Sequence, residues 1–199
     1  MKGFTVALSL FAALLIQANS LECEQCKEIG NMTSCTGPIA PCPEGTTKCT
    51  QGLENNTLDG DIILTAFKSC YTPETPEVLC SVADHTVINS RILIRVTAAC
   101  GMNNDPFQVP PQNQTLNGYK CPDCFEEGTL DECISDEVKA CTGTQTACFD
   151  IRAIGHRPGQ ANKLYSFKGC TTAVCCGLVH LTETAATDIT CTCTPANLM

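Results

Sequence analysis

Cys121-Pro-Asp-Cys124, followed by Cys133, Cys141, Cys148 and Cys170, decides the architecture, because the same series has already run once as Cys23-Glu-Gln-Cys26, Cys35, Cys42, Cys49 and Cys70. The intervening gaps are 2, 8, 6, 6 and 20 residues in the first series and 2, 8, 7, 6 and 21 in the second. Five near-equal gaps mark a duplicated structural unit. Residues beside the cysteines agree. Phe67-Lys-Ser-Cys70 returns as Phe167-Lys-Gly-Cys170, and Thr46-Thr-Lys-Cys49 is echoed by Thr144-Gln-Thr-Ala-Cys148. After the sixth cysteine the copies diverge: the first adds Cys80 and Cys100 to reach eight, the second adds Cys175, Cys176, Cys191 and Cys193 to reach ten. Both totals are even, so each copy can close its own bridges. Two separately stapled domains are expected, at residues 21–104 and 119–199, joined by a Pro-rich, semi-rigid linker at 105–118.

Composition sets the wider frame. Eighteen cysteines in 199 residues, with 14 Gly, 11 Pro and no Trp, describe a disulfide scaffold rather than one large hydrophobic core. Twenty-one acidic against twelve basic residues give a charge of −9, which argues against a nucleic-acid partner, since phosphate neutralisation needs clustered Lys and Arg. Met1-Lys2-Gly3 followed by the apolar run Phe4–Ile16 reads as a secretory signal peptide over residues 1–20, too short for a spanning helix of about 20 apolar residues. The closing stretch from Asp188 to Met199 lacks a hydrophobic tail, so no membrane anchor is expected and the product is expected to be secreted and extracellular. Sequons at Asn31, Asn55 and Asn113 fit that route as glycosylation sites.

The patterning is β. Asp61–Cys70 and Val87–Thr97 read as strands rich in β-branched residues, the second alternating around Arg91 and Arg95. Cys148–Ile154 and Lys163–Lys168 flank the turn-forming His156-Arg-Pro-Gly-Gln160, which makes a hairpin. Its counterpart in the first copy is expected to turn through Leu53–Gly60, with Asn55 near the tip. No stretch offers a long amphipathic helix.

A Cys-x2-Cys opening, a third cysteine closing a short loop, a fourth and fifth bracketing a strand and a sixth after a long hairpin resemble the three-finger domain of the urokinase-receptor and lymphocyte-antigen superfamily. The resemblance covers the mature chain twice and implies an all-β, disulfide-rich fold of two tandem three-finger domains. With Asn117-Gly-Tyr-Lys-Cys-Pro122 and Lys168-Gly-Cys170, the chain is similar to secreted γ-type phospholipase A2 inhibitors and to amphibian sodefrin-precursor-like courtship proteins. The resemblance implies bridges Cys23–Cys49, Cys26–Cys35, Cys42–Cys70 and Cys80–Cys100, then Cys121–Cys148, Cys124–Cys133 and Cys141–Cys170. Partners among Cys175, Cys176, Cys191 and Cys193 stay open. The first domain lacks the last cysteine pair of the full pattern, which leaves its terminal loop after Cys100 unstapled and the second domain the more rigid.

Three signals of chemistry have duller explanations. Cys23-Glu-Gln-Cys26 and Cys121-Pro-Asp-Cys124 have redox or zinc-ligand spacing, yet an exported repeat calls for structural bridges. Cys175-Cys-Gly-Leu-Val-His180 only superficially matches a phospholipase helix, and His85, His156 and His180 sit in no nucleophile motif. The acidic run Phe125–Glu137 lacks the spacing of a calcium loop and reads as a solvated finger tip. No catalytic residue, metal ligand or cofactor is expected. The expected function is binding an extracellular protein partner, foremost inhibition of a secreted phospholipase A2, with a receptor-directed courtship-pheromone-type signal as the alternative and homo-oligomerisation left open. Glycans at Asn31 and Asn55 would steer contact to the third finger of the first domain, around Val87–Val96, to the sheet face, or to the second domain.

Overall fold

A computed structural model describes residues 20–71, 78–81, 84–101, 108–173, 176 and 186–198. Apart from Ser20, the signal-peptide expectation lies outside the described residues, as do Cys175 and His180 and the loop 102–107 that was expected to be unstapled.

The first unit contains β1 (Glu22–Glu24), β2 (Cys26–Gly30), β3 (Ile39–Pro41), β4 (Lys48–Leu58), β5 (Asp61–Tyr71), one helical turn α1 (Val78–Ser81), β6 (Asp84–Ile88) and β7 (Ile92–Gly101). The second contains β8 (Leu116–Pro122), β9 (Cys124–Glu127), β10 (Val138–Thr142), β11 (Ala147–Gly155), β12 (Lys163–Thr171), β13 (Ala186–Pro195) and β14 (Asn197–Leu198). The fold is all-β and disulfide-rich, built from two three-finger-type units. Leu116–Gly118, at the end of the stretch read as linker, already belong to β8.

Cysteine sulfurs form the centre of each unit. Cys23–Cys49, Cys42–Cys70 and Cys26–Cys35 staple the base of the first, and Cys80–Cys100 fastens α1 to β7, where Leu79 packs on Val96 and Ala98. In the second unit Cys121–Cys148, Cys141–Cys170 and Cys124–Cys133 take the matching places. Cys176 is bridged to Cys191, and Cys193 is also in a disulfide.

Two expected elements change shape. The turn read across Leu53–Gly60 shrinks to Asp59-Gly60, whose φ angles of 49° and 85° make a two-residue turn matching the twist of the flanking strands. β4 therefore continues to Leu58, and Asn55 lies inside a strand opposite Leu64 and Arg95, not near a tip. Val87–Thr97, read as one strand, is a hairpin. Asn89 breaks it: its Oδ1 accepts from the backbone N–H of Arg91 and of Ile92, both at 2.8 Å, so the side chain closes the turn that a continuous strand would lack.

The larger difference concerns the two units, which share one sheet. The order β13-β11-β12-β6-β7-β4-β5-β2 runs without a break from the second unit into the first, with β9 also paired to β12. At the seam Cys170 pairs with Ile88 and Thr171 with Val87. Val87 and Ile92 bury themselves against Phe149, Ile151, Ala153, Tyr165 and Phe167 in a single core. Polar contacts reinforce it: Asn89 Nδ2 donates to the Cys124 carbonyl at 3.0 Å, the Ser90 N–H donates to Asp123 Oδ1 at 3.0 Å, and the Arg91 guanidinium lies 4.3 Å above the Phe125 ring. The connecting chain is pinned as well, because Arg95, paired with Asp84, donates to the Pro110 carbonyl at 2.6 Å.

Candidate functional site

Alternation along β4 sends Glu54, Asn56 and Leu58 to one face of the sheet and Asn55 and Thr57 to the other. On the first face the register lines up His85, Val96, Glu54, Thr65 and Ile29 as successive cross-strand partners. The next row brings together Val87, Ile94, Asn56 and Ile63. Because the sheet curls, Ile151, Ala153, Tyr165 and Phe167 of β11 and β12 face these rows across a cleft, which Ile189 of β13 closes at one side. The cleft is small, about 70 Å³, because most of its lining residues belong to the packed core at the seam. Aromatic rings stiffen its wall, with Phe149 edge-on to Phe167 at 5.6 Å and Phe125 tilted on Tyr165 at 5.8 Å.

One end of the cleft is polar. Arg157, in the β11–β12 turn, reaches the tip of the β4–β5 hairpin: Nη1 donates to Asp61 Oδ2 at 2.7 Å and Nη2 donates to Asn56 Oδ1 at 3.1 Å. This clasp joins the second fingers of both units. Its cation is largely buried, with 10% of the side chain exposed, against 60% for Asp61. Beyond it lies an antechamber bounded by Glu54, Asn56, Thr65, His156 and Arg157 together with the apolar Ile29, Ile63 and Pro158. His156 Nε2 and Thr187 Oγ1 are 2.8 Å apart. Burial pushes the Glu54 carboxyl up to about 7, against the opposing pull of the Lys27 charge and an Asn56 hydrogen bond. Burial also raises the Tyr165 phenol.

Other residues singled out in the sequence lie elsewhere. Both Cys-x-x-Cys pairs are consumed in bridges to distant partners and offer no thiolate to a metal. His85 and His156 both border the cleft. The acidic run is tied down at two points, Glu127 to Lys163 at 2.6 Å and Glu132 to Lys168 at 2.7 Å, and the Lys168 hydrogen bond holds Glu132 below its ordinary value. Asn31 and Asn113 are exposed, while Asn55 is half-buried and accepts from Thr57 Oγ1 at 2.8 Å. The Val87–Val96 hairpin, a favoured contact surface in the sequence reading, is the seam itself and turns its cleft face inward. Sequence reasoning passed over Glu54, Asp61 and Arg157. Val87, Ile92 and Ile94, close together in an apolar run, were the available signal that this hairpin is covered on one face.

A family model for the u-PAR/Ly-6 domain matches residues 19–104 and again 117–198. The chain belongs to the u-PAR/Ly-6 family. This u-PAR/Ly-6 chain is 28% identical over 184 residues to phospholipase A2 inhibitor CgMIP-I of Cerrophidion godmani, covering 88% of this chain and 85% of that protein. Phospholipase A2 inhibitor CNF of Crotalus durissus terrificus matches it equally, at 28% identity over 184 residues with the same coverage of 88% and 85%. With phospholipase A2 inhibitor PIP of Malayopython reticulatus it shares 27% identity over 187 residues, or 92% and 88% of the two chains. Among solved structures, mouse TEX101 aligns over 89% of this chain and 99% of its own at 17% identity and a TM-score of 0.31, a score that fixes neither fold nor function. No helix among the described residues is long and apolar enough to cross a membrane.

Proposed function

We propose that this protein is a secreted, non-enzymatic binder of a secreted phospholipase A2 and lowers the enzyme's activity by covering its working surface. The observation that carries the reading is that similarity to proteins named phospholipase A2 inhibitors runs through both units, across 88 to 92% of the chain. The geometry supports it. One sheet through both units, stapled at the base of each, is a preorganised platform that loses little conformational freedom on docking. The chain's charge of −9 adds long-range attraction for a basic partner. Sugars at Asn31, Asn55 and Asn113 belong to this proposal, and one on Asn55 would stand on the face opposite the cleft.

The test is a pull-down and turnover assay of the oxidised, glycosylated protein against a panel of secreted phospholipases A2. The expected outcome is stoichiometric binding with loss of activity, and an association rate that falls as salt is raised. Absence of binding at micromolar concentration would sink the proposal and turn attention to a receptor-directed signal or a carrier role.

A further inference from the structure

We propose that the first finger of the second unit, residues 126–138, is the surface that meets the partner, and that it imitates an anionic lipid surface. It offers aliphatic side chains, set among carboxylates, to a protein face that is basic at its rim and apolar at its centre. For the partner's identity the proposal rests on the inhibitor reading. An enzyme that works on lipid turns such a face to the membrane, where cations meet anionic headgroups and apolar side chains enter the layer. The finger carries both halves of the complement. Leu130, Ile134 and Val138 stand out into solvent, Ile134 with 81% and Val138 with 63% of the residue exposed. Of the six carboxylates in the same stretch, Glu127 and Glu132 are taken up by Lys163 and Lys168. Glu126, Asp131, Asp136 and Glu137 are exposed and form no ion pair among the described residues.

The backbone holds this display in place. The Cys124–Cys133 bridge draws Cys133 fully inside, where its N–H donates to Ser166 Oγ at 3.2 Å, and its neighbour Ile134 is left outside. The Gly128 N–H donates to the Leu164 carbonyl at 2.8 Å and the Asp123 N–H to the Glu137 carbonyl at 2.9 Å, so both ends are anchored. Between them Thr129 Oγ1 accepts from the Asp131 N–H and Ser135 Oγ from the Glu137 N–H. A finger fixed in this way loses little freedom when a partner covers it. The duplicate supplies a contrast. The first finger of the first unit has the matching bridge, Cys26–Cys35, and also exposes Ile29 and Met32. Between its two cysteines stand one base, Lys27, one acid, Glu28, and the sequon at Asn31, where the second copy has four acids, no base and no sequon. One scaffold position thus carries two surface chemistries, and only the second attracts a face rimmed with cations.

The experiment is calorimetric titration of the oxidised, intact chain with an amphipathic helical peptide of leucine and lysine, which has the chemistry of a membrane-binding face and no enzyme attached. The peptide is expected to bind once per chain. Ile134→Ser, at a position too exposed to affect folding, is expected to weaken it about tenfold, the loss that leaving one large aliphatic side chain out of the contact allows. Asp131→Asn combined with Asp136→Asn and Glu137→Gln is expected to remove most of the salt dependence, and Met32→Ser in the other first finger to change nothing. No binding, or binding that either second-unit variant leaves intact, overturns the proposal. So does attachment of the natural chain, but not of Ile134→Ser, to phosphatidylcholine vesicles. The same variants then go to the phospholipase panel. An enzyme inhibited equally well by Ile134→Ser leaves the inhibitor reading standing and strikes out this surface. A panel that binds nothing while the peptide still finds the finger strikes out inhibition alone. Phosphatidylglycerol vesicles are expected to release a bound enzyme from the chain, and an enzyme held by both at once would overturn the proposal.

Discussion

Glu54 is the acid that folding treats most severely. Its carboxyl sits in the middle of β4 with 3% of the residue exposed, between Thr65 and Val96 of the neighbouring strands. Because the folded-state value, about 7, lies above the ordinary 4.5, the folded protein keeps a proton that the unfolded chain has released across that window. Stability is therefore full below about 4.5 and declines as pH rises towards 7. The decline amounts to about 3 kcal/mol at order-of-magnitude precision. Glu54→Gln should flatten the curve and be the more stable protein at pH above 7. Urea unfolding of the oxidised protein on both sides of the window checks this, and an unchanged pH dependence in the variant would assign the effect to another group. Nothing local in Leu53-Glu54-Asn55 announces this burial. It follows from register, which places Glu54 between Thr65 and Val96 on the inner face, and register is a long-range property.

The strands show which parts of the structure were readable. Cysteine gaps made the repeat legible, and the three-finger fold and its bridges came from the family resemblance that the gaps carry. The β11–β12 hairpin was legible from its Pro-Gly turn, since Pro158 presets its own φ for a reversal and Gly159 freely takes the positive φ, 74°, found there. The seam was not, although the repeat carries a trace of it. Phe67-Lys-Ser-Cys70 and Phe167-Lys-Gly-Cys170 differ at one position, and a side chain on Gly169 would run into the Ile88 carbonyl where β6 joins β12. Ser69, its counterpart, is exposed. Gly169→Ala is therefore expected to cost roughly 2 to 4 kcal/mol by forcing the seam apart, while Ser69→Ala stays within about 0.5 kcal/mol. Equal shifts in thermal midpoint for the two would contradict the assignment. The hairpin at Asn89 escaped notice for a related reason: a single buried amide makes the turn by bonding two N–H groups and a carbonyl of the other unit, and one Asn in an apolar run is a faint signal.

Across the whole molecule, the even cysteine totals allow each unit its own bridges but say nothing about its outer faces. Those faces are where the units meet, and Val87 and Ile92 of the first become core only in the presence of Phe149, Phe167 and their neighbours. The first unit produced alone, residues 21–104, should then expose this apolar hairpin and self-associate. Size-exclusion chromatography and dye binding of the isolated unit beside the intact chain measure it, and a monodisperse, dye-silent fragment would show that the hairpin can be shielded from within its own unit. The cleft was unreadable for the same reason: half of its wall comes from each copy, and the clasp residue Arg157 finds its partners about a hundred positions away, at Asn56 and Asp61.

The shared sheet also bears on ancestry. A duplicated unit is ordinarily a module, free to drift, to be lost or to be recombined with another. Here Gly169 must leave room for Ile88, Phe125 must lie flat under Arg91, and Arg157 must find Asn56, so substitutions in one copy are constrained by residues in the other. Duplication made two units, but the seam has made them one heritable object.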